Sequence, residues 1–268
     1  MATLAPYRTA HTYVAGGAAL NQRWPRLSDD IDIFQHLRGD LAEVVAIELD
    51  ALRAAGFAVE VVVETRDTVE VIIRDYGSET RVQWFDDLDA SLHFFPAVAD
   101  EDLGFRLHQA DNSVNKVLCA ARRQRAARDA VDLALIVEHY APLGPIVWAA
   151  AGKATAVNQA QADHEYEDNP LRLIQHARAN AFGYADEEIR TVSVEKGHEM
   201  GRGDIRRILG PALDAAYAYC EEIAPVNFEG HLFVDQDDRP VEADVDSLDR
   251  GDARGIPITN FGPGPTVD

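Results

Sequence analysis

Thiols are scarce in this chain: of 268 residues only Cys119 and Cys220 carry one. Both fall in segments with helical spacing and neither has a second ligand pair nearby. They are expected as buried, reduced thiols rather than as a disulfide or a zinc site. Long apolar runs are also missing. No stretch approaches the roughly 18 residues of a membrane span, and Met1 to His11 lacks the apolar stretch of a secretory leader. The expectation is a soluble cytoplasmic protein that makes no membrane contact. Basic residues are few, 25 Lys and Arg against 46 Asp and Glu, for a formal net charge of −21. That balance opposes a broad, nonspecific grip on a phosphate backbone, which depends on neutralising phosphates with cations. A local basic patch for nucleic acid stays open. The same charge suits a cationic small molecule or a basic partner, and it fits acidity for solubility alone equally well. Nine histidines show no metal-ligand spacing. No internal repeat or long low-complexity tract is apparent.

What is present is enough apolar material, 47% of residues, for a packed core. Residues 11–15 read as a strand running into Gly16-Gly17, with helical spacing over 18–24. Asp30-Ile31-Asp32-Ile33 alternates polar and apolar with period two and continues into Phe34, the pattern of a strand. From Asp40 to Ala55 apolar residues recur at helical spacing, and Gly56 stands where a C-terminal cap belongs. Three β-branched or aromatic stretches follow, at 57–64, 68–74 and 80–85, with connections short enough for hairpins. Beyond Pro96 strand alternation stops, and helices are predicted over 111–124, 128–139, 145–157, 169–181 and 204–222. The expected architecture is α+β, with a mixed sheet and flanking helices over residues 1–105, a helical domain over 106–248, and an irregular tail over 249–268 because of its many Gly and Pro residues.

The chemistry concentrates where Gly16-Gly17 is followed, twelve residues later, by Asp30-Ile31-Asp32. Residues i and i+2 of a strand share a face, so Asp30 and Asp32 present two carboxylates side by side while Ile31 and Ile33 point to the core. Like charges so placed invite a cation between them. Hard oxygen ligands of this kind suit Mg²⁺, which is commonly held by one or two carboxylates together with substrate phosphates. Two residues without Cβ allow backbone to approach a triphosphate. Either feature alone would read as an ordinary turn or a solvated acidic edge; the combination points to a metal and a nucleotide.

The block from Gly16-Gly17 through Arg26-Leu27-Ser28-Asp29-Asp30-Ile31-Asp32-Ile33 resembles the glycine turn and Arg-x-Ser-x-Asp-Ile-Asp motif of the nucleotidyltransferase superfamily. A second block, Asp111-Asn112-Ser113-Val114-Asn115-Lys116, with Arg122-Arg123 and Arg128-Asp129-Ala130-Val131-Asp132-Leu133 after it, resembles the lysine and arginine-aspartate motifs of the AbiEii/AbiGii toxin-like nucleotidyltransferases of toxin-antitoxin systems. The match spans about residues 12–137. The resemblance implies a nucleotidyltransferase-type fold and transfer of a nucleoside monophosphate from an NTP to an acceptor. It implies Asp30 and Asp32 as catalytic metal ligands for Mg²⁺, Gly16, Gly17, Ser28 and Lys116 as contacts to the NTP, and Asp129 as a further catalytic carboxylate. A tRNA or protein acceptor, and an antitoxin partner, follow from the same likeness.

Members of the superfamily commonly carry a third carboxylate on a later strand, and the matching strand here, Arg81-Val82-Gln83-Trp84-Phe85-Asp86, places Gln83 there. An amide cannot accept a proton in that role. Asp86 or Asp87 at the strand end, or Asp129, are the remaining carboxylates for it. Arg125 with Asp129, and Arg128 with Asp132, stand at i, i+4 and also fit as helix ion pairs. Two alternatives stand beside the macromolecular transferase: an enzyme modifying cationic, aminoglycoside-type small molecules, and a catalytically silent nucleotide- or partner-binding module.

Overall fold

The computed structural model describes residues 2–36, 41–75, 77–86, 91–122, 126–160 and 166–261. The chain divides into two compact units. The first holds residues up to Gln22, Leu27–Gln109 and the segment from Thr259; the second holds Arg23–Arg26 and Ala110–Ile258.

In the first unit, strand β1 (Thr12–Ala15) leads directly into a one-turn helix, α1 (Gly16–Leu20), followed by β2 (Asp30–Gln35) and α2 (Leu41–Ala54). Then come β3 (Ala58–Glu64), β4 (Thr68–Asp75), β5 (Ser78–Phe85), β6 (Leu92–His93), β7 (Val98–Asp100) and β8 (Gly104–Arg106). All but β6 join one seven-stranded sheet in the order β3-β4-β5-β2-β1-β8-β7. It is mixed: β2 runs parallel to β5 and β1 to β8, while the other neighbours are antiparallel. Alternation decides its faces. Val69, Val71 and Ile73 of β4 join Val14, Ile33, Val82 and Trp84 in a core closed by Leu41, Val45, Leu49 and Leu52 of α2. Each such side chain contributes about 1.5–3 kcal/mol on leaving water. A buried ion pair enters this core. Glu48 of α2 accepts from Trp84 Nε1 at 2.9 Å and pairs with the buried Arg8. Burial pushes its carboxyl above the ordinary range, and Arg8 and Trp84 offset only part of that.

The second unit contains α3 (Gln109–Ala121, all but its first residue), α4 (Ala127–His139), α5 (Leu143–Ala160), α6 (Pro170–Gly183), α7 (Asp186–Arg190) and α8 (Arg202–Ala218). After these a small ladder pairs β9 (His231–Val234) with β10 (Arg254–Pro257), and α9 (Val245–Asp249) lies between them in sequence. Helix α6 starts where Asn169 caps Arg172 N and Pro170 takes the first position, a helix-starting pair legible in sequence. Cys119 and Cys220 are not joined in a disulfide, as expected, but both are half-buried rather than buried.

The α+β architecture is the one expected. Three details differ. Strand structure continues past Pro96 in β7 and β8, which are only three residues each and too short for a period to register. The tail is not irregular throughout, since Arg254–Pro257 pairs with β9 and β11 (Thr259–Asn260) pairs with β6. Pro257 is tolerated there because it closes the last position of a two-stranded ladder, where a missing N–H costs little. Division of the chain falls after Gln109 rather than at 105, and the segment from Thr259 returns to the first unit. Asp40, Asp87, Arg123, Arg125 and residues 262–268 lie outside the described residues. No helix among the described residues is long and apolar enough to cross a membrane.

Candidate functional site

Strand β2 places Asp30 and Asp32 on the sheet face opposite the α2 core, both half-buried, while Ile31 and Ile33 pack into that core. Register then builds a row across four strands: Ala15 lies opposite Asp32, Asp32 beside Gln83, and Gln83 opposite Glu70. The chain leaves β1 at Ala15 and turns at Gly16, whose φ of +62° is in the left-handed region. A Cβ built on Gly16 would overlap the Asp32 carboxylate. Glycine is therefore required twice here, by backbone conformation and by the approach of a charged side chain. Gly17 is the next residue in α1 and is buried. Ser28 Oγ donates to Asp30 Oδ1 at 3.1 Å, so the serine is already an orienting group for one carboxylate.

Two half-exposed carboxylates on one face, with a glycine turn against one of them, fit a hard divalent cation whose other ligands come from water or phosphate. Among the described residues no group of three or more His, Cys, Asp or Glu side chains is gathered as a self-sufficient metal cage. Gln83, on the strand matched to the third carboxylate, stands beside Asp32 in this row. Its Nε2 donates to Glu70 Oε2 at 2.7 Å, and Arg81, which lies beside Asp30 in register, reaches Glu70 Oε1 at 3.4 Å. Glu70 was not singled out from sequence. The available signal was its parity on β4, opposite Val69 and Val71. Asp86 sits just past β5, half-buried.

The second motif block forms a separate cluster in the helical unit. Lys116 Nζ lies 2.8 Å from Asp132 and 3.5 Å from Asp129, and Asp132 also holds Arg26 Nε at 3.3 Å. All four are buried. Burial alone would depress the Lys116 ammonium, but the Asp132 and Asp129 carboxylates outweigh it and hold the ammonium above lysine's ordinary value. Asp129, the more exposed carboxylate of the two, has its carboxyl raised by burial, against the pull of Lys116. Arg26, from the first motif block, thus belongs to the helical cluster rather than to the Asp-x-Asp strand. The segment Arg23–Arg26 packs in that unit, where Glu195 N donates to Pro25 O at 2.7 Å. The Arg26–Asp132 contact joins both motif blocks, and sequence spacing gave no sign of it.

A third polar cluster escaped the sequence reading. Tyr13 Oη lies 2.7 Å from His36 Nε2 and 2.5 Å from His93 Nε2, with all three side chains buried in the first unit. One hydroxyl proton serves two rings, so the hydroxyl donates to one histidine and accepts from the other.

No family model matches the sequence, and no curated protein matches it. Solved structures similar to the chain include the following two. JHP933 from Helicobacter pylori aligns over 82% of this chain and 88% of its own, with a TM-score of 0.50 and 13% identity. MenT4, a nucleotidyltransferase toxin from Mycobacterium tuberculosis, aligns over 80% and 88% respectively, with a TM-score of 0.46 and 14% identity. The first of these shows a shared fold. In this chain a glycine turn feeds an Asp-x-Asp strand in a mixed sheet, with helices following.

Proposed function

We propose that the protein is a Mg²⁺-dependent nucleotidyltransferase that moves a nucleoside monophosphate from an NTP to an acceptor. The observation that carries this reading is the fit of Gly16 against the Asp32 carboxylate. In that fit bare backbone stands against one of the two carboxylates, which suits the approach of a triphosphate. In this reading Asp30 and Asp32 hold the ion, Ser28 orients Asp30, and Gly16 and Gly17 admit the phosphates. The ion, when bound, neutralises phosphate charge and polarises the phosphorus for in-line attack. Lys116 and Asp129 enter by the motif resemblance. Lys116 stays cationic at neutral pH, and a triphosphate contact requires its Nζ to share or exchange the Asp132 oxygen it now faces.

The acceptor we favour is a macromolecule, tRNA or protein, with an antitoxin protein as the controlling partner. A net charge of −21 supports a second acceptor class, a cationic small molecule of the aminoglycoside kind. Gln83 in the row beside Asp32 supports a third reading, a silent nucleotide-binding module, because an amide hydrogen-bonded to Glu70 supplies no base.

The test is incubation of purified protein with Mg²⁺, each of four α-labelled NTPs and total tRNA, beside an Asp30→Ala, Asp32→Ala control. Label on RNA or on the protein itself, in the unmutated sample only, is the expected result. If NTP binds but label appears on neither, the macromolecular acceptor is wrong. A repeat with aminoglycosides as acceptors then separates the second reading from the third.

A further inference from the structure

Strand β3 ends the sheet. β4 pairs along one side of it, and among the described residues no strand pairs along the other. Its centre is three consecutive valines, Val61, Val62 and Val63, that remain 41%, 49% and 37% exposed. Helix α2, which packs along this strand, exposes Ile47 at 61%. An edge strand offers a row of N–H and C=O groups to any extended chain, and proteins usually blunt such edges with lysine or proline. Residues 58–64 contain neither. The other edge of the sheet, β7, is only three residues long and ends in Asp100. A register shift between Val61 and Val63 bends β3 without covering its valines.

The charge around this edge selects its occupant. Glu60 and Glu64 flank the valines, and between Ala58 and Asp75 five carboxylates stand against two arginines, Arg66 and Arg74; Glu60 already pairs with Arg74, which it shares with Glu79, so an incoming cation would join that pair. A second copy of the chain fits poorly. The antiparallel register that stacks valine on valine sets Glu60 of each copy opposite Glu64 of the other, and each copy carries a net charge of −21. We propose that β3 is a docking edge for an extended segment of a basic partner protein. Its backbone pairs along Val61–Val63, its central apolar residues cover the valines, and a Lys or Arg at each end of that centre faces Glu60 and Glu64. This is strand addition, in which main-chain bonds give affinity and flanking side chains give selectivity. The inference stands independently of the proposed activity.

The test uses the full chain and a capped seven-residue peptide, with two basic residues at each end and three β-branched apolar residues between. A control peptide carries Glu at the basic positions. Hydrogen exchange of residues 58–64 is followed as peptide is added. The basic peptide is expected to slow exchange at Val61–Val63 by about tenfold or more, with the effect weakening as salt is raised. The acidic peptide is expected to leave exchange unchanged. A Val62→Lys variant, whose fold is checked by Trp84 fluorescence, is expected to lose the basic peptide's effect. Equal protection by both peptides, protection by neither, or β3 amides already protected in a dimer without peptide would each overturn the proposal.

Discussion

Removing the Asp132 carboxylate is expected to cost more stability than removing any other member of the helical cluster. Asp132 is fully buried and faces two cations, Lys116 Nζ at 2.8 Å and Arg26 Nε at 3.3 Å. At the effective dielectric of about 20 suited to protein sites, each attraction is worth roughly 5–6 kcal/mol gross, most of it cancelled by desolvation. Asp132→Ala cancels the attraction and keeps the desolvation. Lys116 is then left with Asp129 at 3.5 Å, and Arg26 stays buried without the carboxylate it faces. The expected loss is about 3–5 kcal/mol. Lys116→Met should cost less, about 2 kcal/mol, because Asp132 keeps Arg26. In the double variant the losses should fall short of additivity by about 1–3 kcal/mol. Urea unfolding measures all three, with Trp148 reporting the helical unit and Trp84 the sheet unit, so that a local effect shows as divergence of the two signals. The Lys116 contribution should be constant through neutral pH, because its folded value lies above the ordinary 10.5: the contribution is full below 10.5 and is lost as pH rises from there through the raised value. A loss below about 1 kcal/mol for Asp132→Ala, or additivity within about 0.3 kcal/mol, would refute the reasoning.

Gly16→Ala should reduce stability by about 1–2 kcal/mol from left-handed backbone alone, and should abolish NTP labelling at temperatures where circular dichroism shows the fold intact, because the new methyl displaces the Asp32 carboxylate. Asp100→Asn should cost about 1 kcal/mol at pH 7, mainly through the 2.9 Å pair with Arg106. Burial raises the Asp100 carboxyl, but bonds from Gln22, Leu103, Arg106 and Asp102 outweigh it and set the carboxyl below its ordinary 3.8. Its contribution is therefore present above that value and lost as pH falls through the folded value, so the difference in thermal unfolding between variant and parent should shrink as the medium is made more acid than that. Trp84→Phe removes a donor to buried Glu48 and should cost about 1–3 kcal/mol by urea unfolding. That gap should narrow in acid, as Glu48 takes up a proton at its raised value and no longer needs the donor as a carboxylate.

The parts of this molecule that were legible in sequence are those fixed by short-range periodicity. Asp30 and Asp32 share a face because they are two apart on a strand, and Ile31 and Ile33 reach the core for the same reason. The helices over 127–139, 143–160 and 170–183 repeat their apolar positions often enough to be seen. Strands of two or three residues, such as β6, β7 and β8, do not complete two periods, and pairing with a neighbour rather than a sequence pattern makes them strands. The same limit governs the site. A motif put Lys116 and Asp132 on neighbouring helices, yet whether a buried ammonium serves a phosphate or anchors a fold depends on Arg26, a residue 90 positions before Lys116 in the chain. Gln83 shows the converse. Its type was readable and its place beside Asp32 was expected, but what it offers to that row depends on Glu70 from the next strand, which accepts a bond from its amide nitrogen. Spacing therefore identifies which residues stand in the row, and cross-strand register decides which of their atoms are available for chemistry.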